Sequence, residues 1–391
     1  MELLRNYVCY VPTLRFKQFQ DNWLSKRLSD IAEVVGGGTP DTTDSTLWNG
    51  DIQWFTPTEV GHSKYVSMSV RTISQLGLQK SSAKILPAGS ILLSSRATVG
   101  ECSIAQKDCT TNQGFQSLIP KKSVNNEFLY YLAQTQKRHF IKYASGSTFL
   151  EISNSEIKKT KCAVPSIEEQ TEIATFLSAI DRKIEVQNKI ISDLKVLKKE
   201  LCNKVFGKGS AVRLGDFIEE VTARNKSNSC ENVLSVNNKM GFIKQSEQFE
   251  DRTVASENKS NYKVVTEGCF AYNPARINVG SIALLSTYKI GIISPMYVCF
   301  KTKSALDSEY LNFYYQSGFF YKELQKKLEG SVRQCLTYEN MSEILIPYVG
   351  IEEQKAIATT LDKFATLIAN EEKYLKSLQK QKSYFLDAMF I

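Results

Sequence analysis

Apolar residues recur at alternating steps of four and three in two stretches of the chain. Both stretches begin with the tetrapeptide Ile-Glu-Glu-Gln, at Ile167 and at Ile351, and they run to about Phe206 and Phe390. A step pattern sustained over this length is typical of a coiled coil, because only a helix partnered along its whole length keeps so narrow an apolar seam. The sequence therefore predicts two long helices that pair with each other.

The two predicted helices match position by position, and their polar interruptions coincide: Gln187 matches Glu371, and Lys198 matches Lys382. Two unrelated amphipathic surface helices are the alternative, but they would not share a register. The predicted seam consists of Ile173, Leu177, Ile180, Ile184, Gln187, Ile191, Leu194 and Leu201 in the first helix, and of Ile357, Leu361, Phe364, Ile368, Glu371, Leu375, Leu378 and Phe385 in the second.

The repeat extends into the segment before each helix. Arg27-Leu28-Ser29-Asp30-Ile31 opens one segment and Arg213-Leu214-Gly215-Asp216-Phe217 opens the other. Short apolar runs broken by Gly, Pro, Asn and Ser follow, which predicts strands and turns. The fold class is therefore α+β, with a pseudo-two-fold internal repeat. We predict domains at 1–165, with residues 1–22 as an arm packed on it, and at 208–347, and long helices at 166–207 and 348–391.

Two further features of the repeat concern local structure. Glu127-Phe128-Leu129-Tyr130-Tyr131 resembles Glu309-Tyr310-Leu311-Asn312-Phe313, and we expect Asn126 and Ser308 to cap these two short helices. Residues 36–66 and 222–262, in contrast, share no pattern. A duplicated framework with divergent inserts predicts two sites that recognise different things.

Charge and cysteine content narrow the class of protein. The formal net charge is +8, yet residues 167–206 hold seven basic and seven acidic side chains and residues 351–391 hold six of each. The basic excess therefore lies outside the helices, which favours a nucleic-acid partner. Nine cysteines without a C-x-x-C pair and without a secretory signal predict reduced thiols in a cytoplasmic protein. No apolar run approaches the length of a membrane span, so no membrane partner is expected.

No motif in the sequence predicts catalysis. Asn273-Pro274-Ala275-Arg276 lacks the second proline and the aromatic residue of a base methyltransferase motif, and Gly36-Gly37-Gly38 does not fit a nucleotide-binding fingerprint. His62 and His139 have no cysteine companions at zinc spacing. We therefore expect no catalytic residue, no metal and no cofactor on this chain.

Polar turn residues are the candidates for DNA binding. Arginine can bind guanine O6 and N7 or a phosphate with two hydrogen bonds, and side-chain amides can bind adenine in the same way. The alternative for each residue is an ordinary surface turn. Trp54 and Phe55 are predicted to lie in the core. The candidates are Arg96, Thr111, Asn112, Gln113, Ser147, Thr148, Asn237, Asn238, Lys239, Arg276, Arg333 and Gln334.

The whole chain resembles the specificity subunits of type I restriction-modification systems. The two Ile-Glu-Glu-Gln helix starts behind a proline are the most specific part of the resemblance. The other matching segments are Pro12-Thr13-Leu14-Arg15-Phe16, Asp21-Asn22-Trp23, Arg27-Leu28 and Trp48-Asn49-Gly50-Asp51-Ile52.

This resemblance implies two target recognition domains, each of which reads one half of a split double-stranded DNA site. It also implies that the helices pack antiparallel as a scaffold and ruler, on which two methyltransferase subunits dock and a restriction motor-nuclease subunit can join. S-adenosylmethionine, ATP and Mg would then be bound by those partners. Two alternatives remain from the residues alone, namely a coiled-coil adaptor that does not bind DNA, and the recognition portion of a self-sufficient methyltransferase-nuclease.

Overall fold

The chain folds into two compact units in the computed structural model, which describes residues 11–146, 150–238, 240–248, 259–328 and 334–391. The first unit comprises the chain up to Gln187 together with Tyr374–Ile391, and the second comprises Asn188–Lys373. Each unit therefore holds one mixed domain and one end of each long helix.

Among the described residues, the first unit contains ten strands and five short α-helices before the first long helix. The strands are β1 Leu24–Arg27, β2 Ala32–Gly36, β3 Trp48–Phe55, β4 Tyr65–Val66, β5 Arg71–Ile73, β6 Ile91–Leu93, β7 Cys102–Ala105, β8 Cys109–Thr111, β9 Gln116–Pro120 and β10 Lys161–Val164. The helices are α1 Leu28–Ile31, α2 Gln75–Gln79, α3 Asn126–Thr135, α4 Lys137–Tyr143, α5 Asn154–Lys159 and the long α6 Ile167–Phe206, which continues into the second unit.

The second unit repeats this order of elements with changes. Its strands are β11 Ser210–Arg213, β12 Ile218–Glu220, β13 Val233–Asn237, β14 Gly241–Lys244, β15 Lys263–Thr266, β16 Phe270–Tyr272, β17 Ile282–Leu284, β18 Ile290–Ile293, β19 Val298–Thr302 and β20 Leu345–Tyr348. Its helices are α7 Gln245–Gln248, α8 Ser308–Tyr315, α9 Gly318–Gln325, α10 Tyr338–Ser342 and the long α11 Ile351–Met389, which continues into the first unit.

The sheets share one framework and differ in what is added to it. One sheet has the order β2-β9-β6-β7 in the first unit and β12-β19-β16-β17 in the second, and the first unit adds β4 at its edge. A second sheet contains a parallel pair in both units, β3 with β8 and β13 with β18. Strand β5 extends this pair in the first unit, whereas β14 and β15 extend it in the second. The α+β fold with an internal repeat is thus confirmed. Of the strands that differ, β4 and β14 lie in the divergent segments 36–66 and 222–262, whereas β5 and β15 follow those segments.

The two long helices run antiparallel where they pack together inside each unit. In the first unit the start of α6 lies against the end of α11, with the Phe176 and Phe385 rings 4.9 Å apart. In the second unit the end of α6 shares a buried cluster with the start of α11, through Phe206 and Leu361, and Lys195 forms a 2.7 Å ion pair with Glu372 near the middle of α11. None of the predicted seam residues is exposed. In the part of the chain that the structure describes, neither these helices nor any other is long and apolar enough to cross a membrane.

Equivalent residues at the two helix ends make equivalent contacts in the two units. Phe390 stacks on Phe128 of α3 at 5.3 Å, and Phe206 packs on Tyr310 of α8 at 5.2 Å. The lysines that interrupt the seam also match, since Lys382 lies 5.7 Å from the Tyr131 ring and Lys198 lies 5.2 Å from the Phe313 ring. A lysine at these seam positions is therefore held over an aromatic face, where its charge is favourable.

The glutamine that ends each Ile-Glu-Glu-Gln motif joins a long helix to the short helix packed beside it. Gln170 is buried, and its side chain accepts a hydrogen bond from Asn125 N at 3.0 Å and donates one to Pro165 O at 3.0 Å. Gln354 is buried in the same way, accepting from Asp307 N at 2.8 Å and donating to Val349 O at 2.8 Å. The amide supplies both a donor and an acceptor, which explains why glutamine occupies this position.

The expected helix caps need a correction of one residue. The N-caps of α3 and α8 are Asn125 and Asp307, whose side chains accept from Phe128 N and Tyr310 N, while Asn126 and Ser308 are the first helical residues. Their neighbours accept these bonds because only a residue in the extended conformation can direct its side chain back onto the first turn.

The described part of the predicted arm packs on the first unit. Arg15 forms two hydrogen bonds of 2.7 and 2.8 Å to the buried carboxylate of Glu169, and Leu14 N donates to Ala388 O at 2.9 Å. The equivalent glutamate of the second motif, Glu353, is exposed. The arm therefore gives the first unit contacts to both long helices.

We predict that Gln170→Leu and Gln354→Leu each destabilise the protein by about 2 kcal/mol or more, because each leaves a buried N–H and a buried carbonyl without a partner. Urea unfolding of the full chain measures this change. Gln379→Leu is the matched control, since Gln379 is exposed on α11 and its replacement should change the unfolding free energy by less than about 0.5 kcal/mol. A wild-type unfolding curve for both buried-site variants would contradict the prediction.

Candidate nucleic-acid interface

The first unit brings three separate stretches of sequence to one surface around Arg96. The turn that carries Arg96 follows β6, and its Ser95 N donates to Gly114 O at 2.8 Å. Ile152 N donates in turn to Ser95 O at 3.0 Å, which places the segment after α4 beside the same turn. Candidates that lie far apart in sequence thus become neighbours, because β6 and β9 share a sheet.

The guanidinium of Arg96 has an internal partner in this structure. Its Nη2 lies 2.5 Å from Glu151 Oε2, and both side chains are about two-fifths exposed. Ala97 next to it has a positive φ of 64°, which turns the backbone sharply at this point. Because an exposed ion pair is worth at most about 1 kcal/mol, Glu151 holds the Arg96 guanidinium only weakly.

The three candidates at the end of β8 and in the turn after it lie in different environments. Thr111 is buried at 1 % exposure within β8, so its side chain does not reach the surface, and its expected role in DNA binding is corrected. The parallel pairing of β8 with β3 causes this burial, since Thr111 lies opposite Phe55. Asn112 accepts from Gly114 N at 2.9 Å and shapes the turn, whereas Gln113 is exposed and bonds to the hydroxyl of Thr39.

The second unit repeats the juxtaposition around Arg276. Leu336 N donates to Pro274 O at 3.1 Å, so the segment that carries Gln334 lies beside the Arg276 turn. Arg276 and Gln334 are both exposed. On the separate hairpin between β13 and β14, Asn237 accepts from Met240 N at 3.2 Å and Asn238 is exposed. The candidates Ser147, Thr148, Lys239 and Arg333 lie outside the described residues.

A glycine-rich segment in the first unit is a packing element. An added Cβ at Gly37 would lie 2.0 Å from Asn112 O, and one at Gly38 would lie 2.3 Å from Ala83 N, so both positions exclude any side chain. Trp54 is buried, as predicted for it and Phe55, and its indole Nε1 donates to Gly38 O at 2.8 Å. Glycines 37 and 38 therefore let this segment lie directly on the sheet.

Sequence reasoning missed one exposed cation on this sheet. The Arg71 guanidinium carbon lies 3.6 Å from the centre of the Trp48 ring and 5.7 Å from the centre of the Trp54 ring. The two tryptophans of β3 were the available signal, but a register shift between Trp48 and Ile52 interrupts the alternation of faces, so the sequence pattern alone did not bring them together. Only the pairing of β5 with β3 brings Arg71 across from Trp54.

A partly buried polar network attaches the mixed domain of the first unit to the long helices. Lys64 Nζ lies 2.9 Å from Glu127 Oε2 and 2.6 Å from Ser178 Oγ, and Tyr131 OH donates to Asp181 Oδ2 at 2.5 Å. Lys382 of α11 completes the network with a 2.7 Å ion pair to Asp181. The network therefore ties the loop before β4 to α3, α6 and α11 within the first unit.

The contacts of this network favour ionised Glu127 and neutral Tyr131. Burial acts to raise the pKa of Glu127, but hydrogen bonds from Ser178, Tyr65 and Lys64 outweigh it and hold the pKa below its usual value. Burial, followed by the charge of Asp181, raises the pKa of Tyr131. Glu127 is thus an anion and Tyr131 a neutral donor at physiological pH, which are the states that the contacts require.

The comparisons with known proteins agree with this architecture. A family model described as the type I restriction modification DNA specificity domain matches residues 20–196 and again residues 210–380. The specificity subunit of the type I restriction enzyme MjaIX from Methanocaldococcus jannaschii is 30% identical over 93% of this chain and 92% of its own length. The specificity subunit of EcoR124I/EcoR124II from Escherichia coli is 27% identical over 43% of each chain.

Two solved structures share the fold. The S subunit of a type I restriction-modification system from M. genitalium aligns with a TM-score of 0.60 over 98% of this chain and 99% of its own, at 16% identity. A chain from a study of complex assembly and conformational transition in the type I system aligns with a TM-score of 0.57, at 16% identity, over 93% and 96% of the two chains.

The chain therefore belongs to the type I restriction modification DNA specificity family, and it is a specificity subunit, the non-catalytic DNA-recognition component of such a restriction-modification complex.

Proposed function

We propose that each unit reads one half of a bipartite double-stranded DNA site with an unspecified spacer. The observation that carries this proposal is the shared sheet framework with different added strands in the two units. A common framework presents its turns in the same way, while different additions give each unit its own surface. The exposed residues proposed to contact DNA are Arg96, Gln113, Asn238, Arg276 and Gln334, with Asn112 and Asn237 shaping their turns.

The charge distribution supports contact with DNA by the domains. The long helices are neutral overall, so the formal excess of +8 belongs to the remainder of the chain. Each phosphate that a lysine or arginine neutralises releases a counterion, which makes binding strongly dependent on salt. The affinity of the assembled complex for DNA should therefore fall steeply between low and moderate salt.

The catalytic chemistry belongs to the partner subunits in this proposal. Methyltransferase subunits, two per specificity subunit, would bind S-adenosylmethionine and methylate adenine in the recognised site. A restriction subunit, when it joins, would bind ATP and Mg and cleave DNA. The specificity subunit contributes the position and orientation of these partners on DNA.

Exposed apolar residues on the long helices are the proposed docking positions for the methyltransferase subunits. Ile190 in the second unit and Tyr374 in the first are 40% and 52% exposed. They occupy equivalent positions of the repeat, because the shift that relates Ile167 to Ile351 also relates Ile190 to Tyr374. Other apolar residues of these helices are also exposed, but an exposed apolar pair at equivalent places of the repeat fits two copies of one partner.

Exchange of residues 211–346 for the equivalent region of a relative should change one half of the recognised sequence and leave the other half unchanged. Mapping of methylated adenines across a genome, with the complete methyltransferase complex, measures this outcome. The reciprocal exchange of residues 24–164 should change only the other half. A change in both halves after either exchange would refute modular recognition.

Insertion of four residues into the middle of α6 should alter the preferred spacer or abolish modification. Four residues add about 6 Å and rotate the following turns of the helix relative to the seam. The same mapping of methylated sites reports the spacer length, and a four-residue insertion in the exposed turn 286–287, outside both divergent segments, serves as the control. An unchanged spacer with full activity would show that the helices do not set it.

Ile190→Asp and Tyr374→Asp should each reduce the complex to one methyltransferase copy, and the double variant should bind none, because a carboxylate cannot be buried in an apolar contact without a large cost. Native mass spectrometry of the reconstituted complex counts the copies. Ser192→Asp is the matched control, since this exposed residue lies about 200° around the same helix from Ile190. Two bound copies in both single variants would exclude these positions.

A further inference from the structure

Arg71 has a fixed guanidinium at an exposed position of the first unit. Its guanidinium stacks on Trp48 at 3.6 Å, and Trp48 is itself held by a 2.9 Å hydrogen bond from its Nε1 to Asp41 O. Trp48 and Trp54 meet edge to face at 5.0 Å, so the surface beneath the arginine is rigid. Stacking on an aromatic face leaves the N–H edges of a guanidinium free to donate in its plane.

The backbone on the amino-terminal side of Arg71 is also fixed. Ser69 N donates to Gln53 Oε1 at 2.6 Å, and Val70 N donates to Glu59 Oε1 at 2.7 Å. Ser69 Oγ donates to Arg71 O at 2.6 Å. This short segment is therefore joined to β3 and to the turn after it, and the position of Arg71 does not depend on its own side-chain rotamer alone.

Among the described residues Arg71 has no ion pair, as is also true of Arg138 and Arg182, whereas two other arginines of the same unit are paired. Arg15 is paired with Glu169, and Arg96 is paired with Glu151. No ion pair to Arg71 is formed by any carboxylate of the described ranges. A stacked guanidinium without a carboxylate is ready to bind a pair of hydrogen-bond acceptors from another molecule.

We propose that Arg71 is a specificity-determining residue that donates two hydrogen bonds to O6 and N7 of a guanine in the half-site read by the first unit. This inference rests on the proposed reading of one half-site by each unit. The glycine-rich segment links Arg71 to the other proposed contacts, since Gly38 O accepts from Trp54 and the adjacent Thr39 bonds to Gln113.

A base is favoured over a phosphate by the way in which Arg71 is held. Phosphates recur along the whole backbone and can be bound by a mobile lysine or arginine, whereas recognition of one base edge requires a guanidinium fixed in its plane. Arg71 lies on β5, which takes the edge beside β3 that β14 takes beside β13, but β5 follows β3 through β4 whereas β14 follows β13 directly. An edge strand reached by a different connection is suited to carry a residue that is particular to one half-site.

The test is mapping of methylated adenines with the complete complex carrying wild-type, Arg71→Ala or Arg71→Lys specificity subunit. We expect both variants to lose discrimination at one G·C position of the half-site read by the first unit by about tenfold or more, because a bidentate contact contributes discrimination of this order. Preferences at the other half-site should remain unchanged. Arg138→Ala is the matched control, as Arg138 is an exposed arginine of α4 in the same unit.

Several outcomes would overturn the assignment. Normal discrimination with Arg71→Lys and uniformly weaker modification with Arg71→Ala would identify a phosphate contact instead. Unchanged specificity in both variants, altered specificity in the other half-site, or a wild-type half-site without guanine would also reject it. If the exchange of residues 211–346 shows modular recognition while the Arg71 variants show no effect, only this assignment fails. If that exchange changes both halves, the proposed function itself fails.

Discussion

Closure of each core by the far end of a helix is the constraint on which the rest of this structure depends. In the first unit, Phe390 packs on Phe128 and Trp23, and Met389 lies in the same buried cluster as Ile173 and Leu177. The core of the first unit is therefore incomplete until the last residues of the chain have been added. Contacts between such distant parts of a sequence are entropically costly to form, and extensive apolar burial must offset that cost.

The core of the second unit is completed by the opposite helix ends, namely the end of α6 and the start of α11. Phe206, at the end of α6, packs on Tyr310 and Tyr314, while Ala358 and Leu361 come from the start of α11. Both long helices therefore contribute residues to the core of each unit. Neither mixed domain has a core that is complete without them. This shared use explains why the register of the repeat is kept over the whole helix, including the lysines that lie on aromatic rings.

The residues proposed to recognise DNA lie on turns and added strands, apart from the sheet framework and the helices that the two units share. The sheet order common to both units fixes where the turns emerge, and the strands added to it differ. In the first unit the polar network of Lys64, Glu127, Tyr131, Asp181 and Lys382 connects the recognition domain with the helices. This partly buried network favours one arrangement of the domain on its helices, since a displacement would break several charge-assisted hydrogen bonds at once. A fixed arrangement suits a subunit that recognises DNA within a restriction-modification complex.

The sequence by itself determined the two long helices, their pairing, the repeat and the α+β class, because the apolar period of a helix and a duplicated motif are local properties of the chain. It also placed Trp54 and Phe55 in the core. The tertiary structure alone decided that Asn125 and Asp307 cap their helices, that Thr111 is buried, that Arg96 pairs with Glu151 and that Arg71 stacks on Trp48. These outcomes depend on which strands become neighbours, and strand pairing joins residues whose separation along the chain carries no periodic signal.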